Sequence, residues 1–322
     1  MKNITKSGYI GIIATSLSFI GLIIIATFYD LDINKALYSP ENPFARFFDL
    51  LGQLPSYIAA PFAGVILYHN DIGKTKKKIT FFKLLSVAII AIGCYMAVDW
   101  LWWGFVGENI AYPAIYITFF TIALTSAVFF GTIKLEKATA KKLLIFALFV
   151  LIVFAISNII VQVMKIIWAR QRFRTMVDIE KNAALLAAYG KDFEGFTAWY
   201  KPMTIFSMDL RTSEYVRLHL ALDSDAFKSF PSGHVVAAAA AFGLILLPDI
   251  YENLKKHRWM FTTFPAIYVV LVAISRIMMG AHYLSDVVFG GYIGFAVAIL
   301  ARHIILRKVM KPKLQLTVNK GE

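Results

Sequence analysis

Apolar residues run in stretches of about 20 along most of this chain, broken by short polar segments, and about 20 is the length a helix needs to cross the hydrocarbon core of a bilayer. Read by length and apolarity, the pattern predicts about eight helical spans. They cover Gly8 to Phe28, Ser56 to His69, Leu84 to Trp103, Tyr112 to Ile133, Leu143 to Trp168, Pro231 to Leu247, Phe261 to Ile277 and Leu284 to Ile304. The second is the shortest and contains Pro61. The fold class that follows is all-α, a polytopic membrane helical bundle. A longer polar segment, from about Ala169 to Phe230, separates the fifth span from the sixth and exceeds a plain connector in length. Within it, Asp178 to Tyr189 reads as a short helix. Phe193, Phe196, Trp199 and Tyr200 are residue types that settle at a membrane interface. A lid or lipid-entry collar and a plain surface loop are both open readings of this segment.

Composition agrees with the pattern. A hydrophobic content of 59%, with only 16% charged residues, lies far from that of a soluble domain, and the mean hydropathy is +0.66. A net charge of +13 raises the question of nucleic acid. The basic residues, however, gather in the short breaks between spans: Lys74 to Lys83, Lys134 to Lys142, Lys255 to Arg258, and Arg302 to Lys313. A positive-inside bias accounts for that distribution, and no nucleic-acid partner is expected. All four groups fall on one side, with the N-terminus, whereas the segment from Asp30 to Asp49 is net acidic and the turn around Glu108 has no Lys or Arg. An even number of spans then puts both termini in the cytoplasm of an integral membrane protein, for which a bacterial cell membrane is the expected location. The first span follows Lys2 and Lys6, is too long for a signal-peptide core and lacks a small-x-small cleavage site, so it reads as uncleaved. Cys94 is the only cysteine and lies within an apolar run, which excludes a disulfide framework and a thiolate metal site. His69, His219, His257 and His303 are scattered without ligand-like spacing, so neither a metal nor another cofactor is expected.

Three polar segments carry candidate chemistry. Ser275-Arg276-Ile277-Met278-Met279-Gly280-Ala281-His282-Tyr283-Leu284-Ser285-Asp286 sets an Arg before a His and Asp pair. If the chain is helical from Ala281, His282 and Asp286 stand at i and i+4. The carboxylate then accepts the imidazole N–H and fixes its tautomer, giving a nucleophile or a base. The Arg276 guanidinium offers a fork of donors matched to phosphate oxygens. Phe230-Pro231-Ser232-Gly233-His234 opens the sixth span, with Pro231 suited to a first helical turn and Pro248 closing the span. Ser232 and the backbone N–H groups of Gly233 and His234 suit an anion, and His234 beside them suits general-acid work. A tight-turn or capping role is the structural alternative for that segment. Third, Lys165 and Arg172 are seven apart near the end of the fifth span, so on a continuous helix they point the same way and can grip one anion. Snorkelling and interfacial anchoring would also account for basic residues at that depth. The charge argument puts all three segments on one face of the membrane.

These segments resemble the type 2 phosphatidic acid phosphatase (PAP2) superfamily, whose motifs are Lys-x6-Arg-Pro, Pro-Ser-Gly-His and Ser-Arg-x5-His-x3-Asp. The second and third match in full. The first matches at Lys165 and Arg172, with Phe173 in place of the motif proline. A proline there would end the helix and fix the chain direction, so its absence leaves Arg170 and Arg174 as neighbours able to share the task of Arg172. The resemblance covers roughly Leu84 to Ile304, a six-helix core. It implies three parts: additional N-terminal spans with a cytoplasmic loop (1–83), the phosphatase core with its outer loop 169–230 (84–306), and a basic cytoplasmic tail (307–322).

The resemblance also implies metal-free dephosphorylation of a membrane lipid phosphate, with the bilayer itself as the other partner. His282 would attack phosphorus and form a phosphohistidine, Asp286 would stabilise the imidazolium, and His234 would protonate the leaving oxygen and then activate water. Lys165, Arg172, Ser232, Gly233 and Arg276 would hold the phosphate on the extracytoplasmic face. The substrate implied is a lipid phosphomonoester or a polyprenyl diphosphate. Two other functions fit the same residues: a phosphotransferase that passes the phosphoryl group to an acceptor other than water, and a non-catalytic lipid-binding or transport protein. Asp99, beside Trp100, Trp102 and Trp103, reads as an interfacial polar group within an aromatic belt.

Overall fold

The computed structural model of the chain describes residues 6–107, 110–184, 187, 195–202 and 226–307, and among these all regular structure is helical. The helices are α1 (Lys6–Leu37), α2 (Pro43–Leu51), α3 (Leu54–Tyr68), α4 (Lys76–Phe105), α5 (Pro113–Gly131), α6 (Lys137–Trp168), α7 (Phe173–Lys181), α8 (Gly233–Ala239), α9 (Met260–Met278) and α10 (Leu284–Ile305). A 3-10 segment (Ala240–Leu246) and a last α turn (Leu247–Ile250) prolong α8. Among the described residues, which are all-helical in their regular structure, eight helical segments are long and apolar enough to cross a membrane, so the chain is an integral membrane protein.

Several boundaries differ from the sequence pattern, those of the second and sixth spans among them. The short second span is prolonged by α2, and Pro43–Tyr68 forms one candidate crossing; α3 runs unbroken through Pro61. Pro248 does not close the sixth span. It occupies the first turn of the Leu247–Ile250 segment, where its missing N–H has no helical partner to lose, and the helical path runs on to Ile250.

The chain packs as two compact units. One comprises Leu50–Asn158, Ala237–Val269 and Gly294–Glu322. In it α3 and α4 approach closely, since a Cβ on Gly93 would stand 2.5 Å from the Pro61 ring and one on Gly64 would stand 2.6 Å from Ile90. Close backbone approach is how helices gain packing energy in lipid, where apolar burial alone drives nothing together. Asp249 receives Arg302 through both its oxygens (2.7 and 3.0 Å) and Arg258 through one (2.7 Å). Outside the spans, hydrogen bonds from Lys83 and Lys137 hold the Asp71 carboxyl below its ordinary range.

The other unit comprises Met1–Asp49, Ile159–Val236 and Val270–Ile293. Its apolar centre is Phe173, Met176 and Tyr283, with Tyr38 and Phe196 packed on it. α9 ends in a Schellman turn: Gly280 N–H donates to Ile277 O (2.9 Å) and Ala281 N–H to Arg276 O (3.1 Å). Gly280 has φ +62°, and a Cβ there would lie 2.6 Å from Tyr38. Gly280→Ala therefore meets both left-handed strain and a clash. It is expected to lower stability by about 1–2 kcal/mol or more, read as the unfolding midpoint in detergent.

On α1 the described side chains are mostly exposed. The three buried ones, Ala26, Asp30 and Asn34, repeat every four residues and form one stripe. Two of these three are polar.

Candidate active site

Three local devices place the histidine of the third motif. The Schellman turn reverses the chain after α9, and α10 begins at Leu284, so His282 precedes the helix. Asp286, in the first turn of α10, reaches back to accept the N–H of Tyr283 (2.8 Å), as the acidic member of a capping box does. Ser229 donates its hydroxyl to the same Asp286 oxygen (2.5 Å) and presents its carbonyl to His282 Nδ1 (2.5 Å).

His282 and Asp286 are therefore not an i,i+4 helical pair bonded ring to carboxylate. Their closest approach is 3.8 Å, and the imidazole bonds a main-chain carbonyl instead, because the helix starts two residues after the histidine. The chemical result is the tautomer that the sequence suggested, by another route. A carbonyl oxygen only accepts, so Nδ1 carries the proton and Nε2 keeps its lone pair. Among the described residues Nε2 has no hydrogen-bond partner, although the ring is fully buried. Burial first, and then the guanidiniums of Arg172 and Arg276, hold the imidazole well below the ordinary histidine range, against the opposing pull of Asp286. The ring is neutral, desolvated and flanked by cations.

The second motif folds against the third. Ser232 N–H donates to Asp286 O (2.9 Å), and α10 presses so closely on this turn that a Cβ on Gly290 would stand 2.7 Å from Ser232 O. Ser232 is buried, and its hydroxyl accepts a long bond from Val235 N–H (3.4 Å), the capping role that was the structural alternative, while its own proton is available to donate. A Cβ on Gly233 would lie 3.3 Å from Lys165 Nζ, so the first and second motifs meet at that glycine. His234 is mostly buried, with Nε2 3.8 Å from Asp49 Oδ1. Arg276 is 1% exposed and ion-paired through Nη1 with the same Asp49, while its Nε has no hydrogen-bond partner among the described residues.

Lys165 and Arg172 do not share a continuous helix. α6 stops at Trp168, Ala169 adopts a left-handed φ of +37°, and Arg172 becomes the residue before α7, with its N–H donating to Ala226 O (2.9 Å). Phe173 is the first residue of α7, a position that suits proline but does not require it, so the chain turns without one. Phe173 is buried beside Tyr38 and Tyr283. Arg170 cannot share the task of Arg172. It is 1% exposed and spends its donors on Thr197 O, Ser285, Asp286 and Asp30. Arg174 gives its main-chain N–H to Gly280 O (2.8 Å).

Four polar residues around the site have no role in the sequence pattern: Ser229, Asp49, Asp30 and Asn34. Asp49 belongs to a segment whose net acidity was taken only as a topological sign. Asp30 and Asn34 lie beyond the first span as apolar length bounds it, whereas α1 continues to Leu37 and carries both; their i,i+4 spacing with Ala26 is the available signal. In the polar segment, helix α7 covers Phe173–Lys181 rather than beginning at Asp178. Phe196 meets Tyr283 edge to face (5.3 Å between ring centres) and Trp199 lies tilted against Phe289 (5.2 Å), while Tyr200 is exposed. Phe193, Glu108, His219 and most of the proposed lid or collar lie outside the described residues. Among the described residues no group of three or more His, Cys, Asp or Glu side chains is placed to hold a metal ion.

No solved structure matches this chain. Phosphatidylglycerophosphatase B of Bacillus subtilis (strain 168) is 36% identical over 76 residues, a stretch that covers 23% of this chain and 37% of that protein. Residues 144–310 match the PAP2 superfamily, a stretch that begins in α6 and contains all three motif segments described above. Since that match takes in more than half of the 322 residues, the chain belongs to the PAP2 superfamily.

Proposed function

We propose that this protein is a membrane lipid phosphatase that hydrolyses a lipid phosphomonoester or diphosphate through a phosphohistidine on His282. One observation carries the reading: a buried imidazole whose Nδ1 is fixed by the Ser229 carbonyl and whose Nε2 lone pair faces no protein partner among the described residues. Nε2 forms a bond to phosphorus as the P–O bond to the lipid breaks, and His234 gives its proton to the departing oxygen. The ring, still protonated at Nδ1, becomes a phosphorylated imidazolium beside the Asp286 carboxylate. His234, now a base, takes a proton from water, and the hydroxide oxygen displaces the imidazole to release inorganic phosphate. Lys165, Arg172 and Arg276 supply the positive charge that the equatorial oxygens need, with Ser232 and the Gly233 N–H as donors, so the chain's own residues account for the electrostatic part of the catalysis.

Charge along the helices supports an extracytoplasmic site with both termini in the cytoplasm. α6 opens with Lys137, Lys141 and Lys142 and ends just after Lys165; α9 follows Lys255, Lys256 and Arg258 and ends just after Arg276; α10 begins beside Asp286 and ends with Arg302. Each helix that reaches the site at one end carries basic residues at or just beyond the other, the cytoplasmic mark.

The test is phosphate release by the purified protein from phosphatidate, phosphatidylglycerophosphate, polyprenyl diphosphate and lipid A, each with and without a chelator. Release from at least one of them, unchanged by chelator, is expected. Failure on all four would overturn the reading, and activity lost to chelator would remove its metal-free part.

A further inference from the structure

The buried stripe of α1 points at the nucleophile. Asn34 Nδ2 donates to the carbonyl oxygen of His282 (3.1 Å). Asp30 accepts the Ser285 N–H at Oδ1 (2.9 Å) and, at Oδ2, both the Ser285 hydroxyl (2.5 Å) and Arg170 Nη2 (3.0 Å). Arg170 closes the circuit: its Nη1 donates to Asp286 Oδ1 (2.6 Å) and to the Ser285 hydroxyl (2.8 Å). Its Nε donates to Thr197 O (2.8 Å), and its guanidinium lies over the ring of Tyr283 (4.0 Å). Asp30, Arg170, Ser285 and Asp286 are all at most 2% exposed.

Every recorded contact of Asp30 is with a donor, which is the pattern of an ionised carboxylate. The cluster thus holds two carboxylates and one guanidinium. Had Arg170 paired with Asp286 alone, the two charges would cancel, and little would remain to balance a cation on the neighbouring imidazole. With Asp30 present, the buried cluster keeps one net negative charge beside His282. Neither Asp30 nor Asn34 belongs to the stretch matched by the family, which begins at residue 144.

We infer that Asp30 and Arg170 are positioning residues for Asp286, and that Asp30 supplies the surplus negative charge which balances the imidazolium formed when His282 takes the phosphoryl group. The N-terminal helix is then part of the catalytic apparatus. This inference rests on the phosphohistidine reading.

The experiment compares the full-length wild type with Asp30→Asn, Arg170→Gln and the double variant, on whichever lipid the wild type cleaves, recording kcat, KM and the rate of phosphoenzyme formation. Asp30→Asn neutralises the cluster and is expected to lower kcat and phosphoenzyme formation by about 10–100-fold, the range for outer partners that orient a metal-bound histidine, with KM changed by no more than about twofold. Arg170→Gln leaves two unpaired carboxylates and is expected to lose at least as much, partly through instability. The double variant restores one net negative charge and is expected to recover at least about threefold in kcat over Asp30→Asn, whereas independent structural lesions would compound. It also removes one ion pair as a unit, so it provides the reading if a single variant fails to fold: activity within about thirtyfold of wild type supports the inference, and a larger loss overturns it. An active wild type with unchanged kcat in Asp30→Asn, or with losses that multiply in the double variant, overturns this inference alone. A wild type inactive on every lipid overturns the phosphatase reading and this inference with it.

Discussion

Alanine at position 282 is expected to abolish turnover, by about 10⁴-fold or more, together with any acid-labile phosphoenzyme. The neighbouring basic groups at Arg172 and Arg276 cannot replace it, since they carry charge rather than a lone pair. The substitution leaves the Ser229 carbonyl without its imidazole donor, at about 1–3 kcal/mol, so the variant is expected to fold with a lowered unfolding midpoint. Rapid-quench trapping of labelled phosphoenzyme, alongside steady-state phosphate release, reads both. Ordinary turnover in this variant would end the mechanism. The protonation state adds a second check. Because burial and two guanidiniums hold His282 below its reference value of 6.5, the ring stays neutral and nucleophilic as pH falls through that value. The acid limb that His282 imposes on kcat/KM is therefore expected below pH 6.5, and a limb at or above it would contradict the desolvated site.

His234→Ala is expected to cost about 10²–10⁴-fold in kcat on a lipid phosphomonoester, the range for loss of a general acid and base. On a lipid diphosphate the loss in phosphoenzyme formation is expected to be smaller by about tenfold or more, because a phosphate leaving group departs with little help from a proton. A single-turnover comparison of the two substrates measures the difference directly. Equal losses on both would remove His234 from the leaving-group step. The Asp49 carboxylate stands 3.8 Å from His234 Nε2 and is also paired with Arg276, so the general acid and a phosphate-holding cation share one carboxylate.

Spans, class and motif residues were legible because each rests on a local rule: apolar length for the helices, fixed spacing for Arg276, His282 and Asp286, and a proline-initiated turn for Ser232 to His234. Errors arose where a tertiary partner displaced a helical neighbour. Lys165 and Arg172 looked like one helical face, but Ala169 turns the chain between them. His282 and Asp286 looked like a bonded pair, but Ser229, 53 residues away in sequence, takes the ring and leaves the carboxylate to Arg170. Nothing in the spacing of either segment encodes Ser229. Asp30 and Asp49 enter the sequence reading only as ends of an acidic segment that marks one membrane face, because charge rules for topology weigh a carboxylate by the loop it occupies and take no account of a buried cation.

The stripe of Ala26, Asp30 and Asn34 has a consequence for assembly. In a bilayer the remaining apolar surface of α1 gains nothing by leaving lipid for protein, so hydrogen bonds and an ion pair are what give this helix a preferred seat. Those same bonds hold the His282 carbonyl and the start of α10. The seat of the first helix and the placing of His282 thus rest on the same bonds, and under the proposed mechanism a chain whose first span has not yet found its place lacks a finished site.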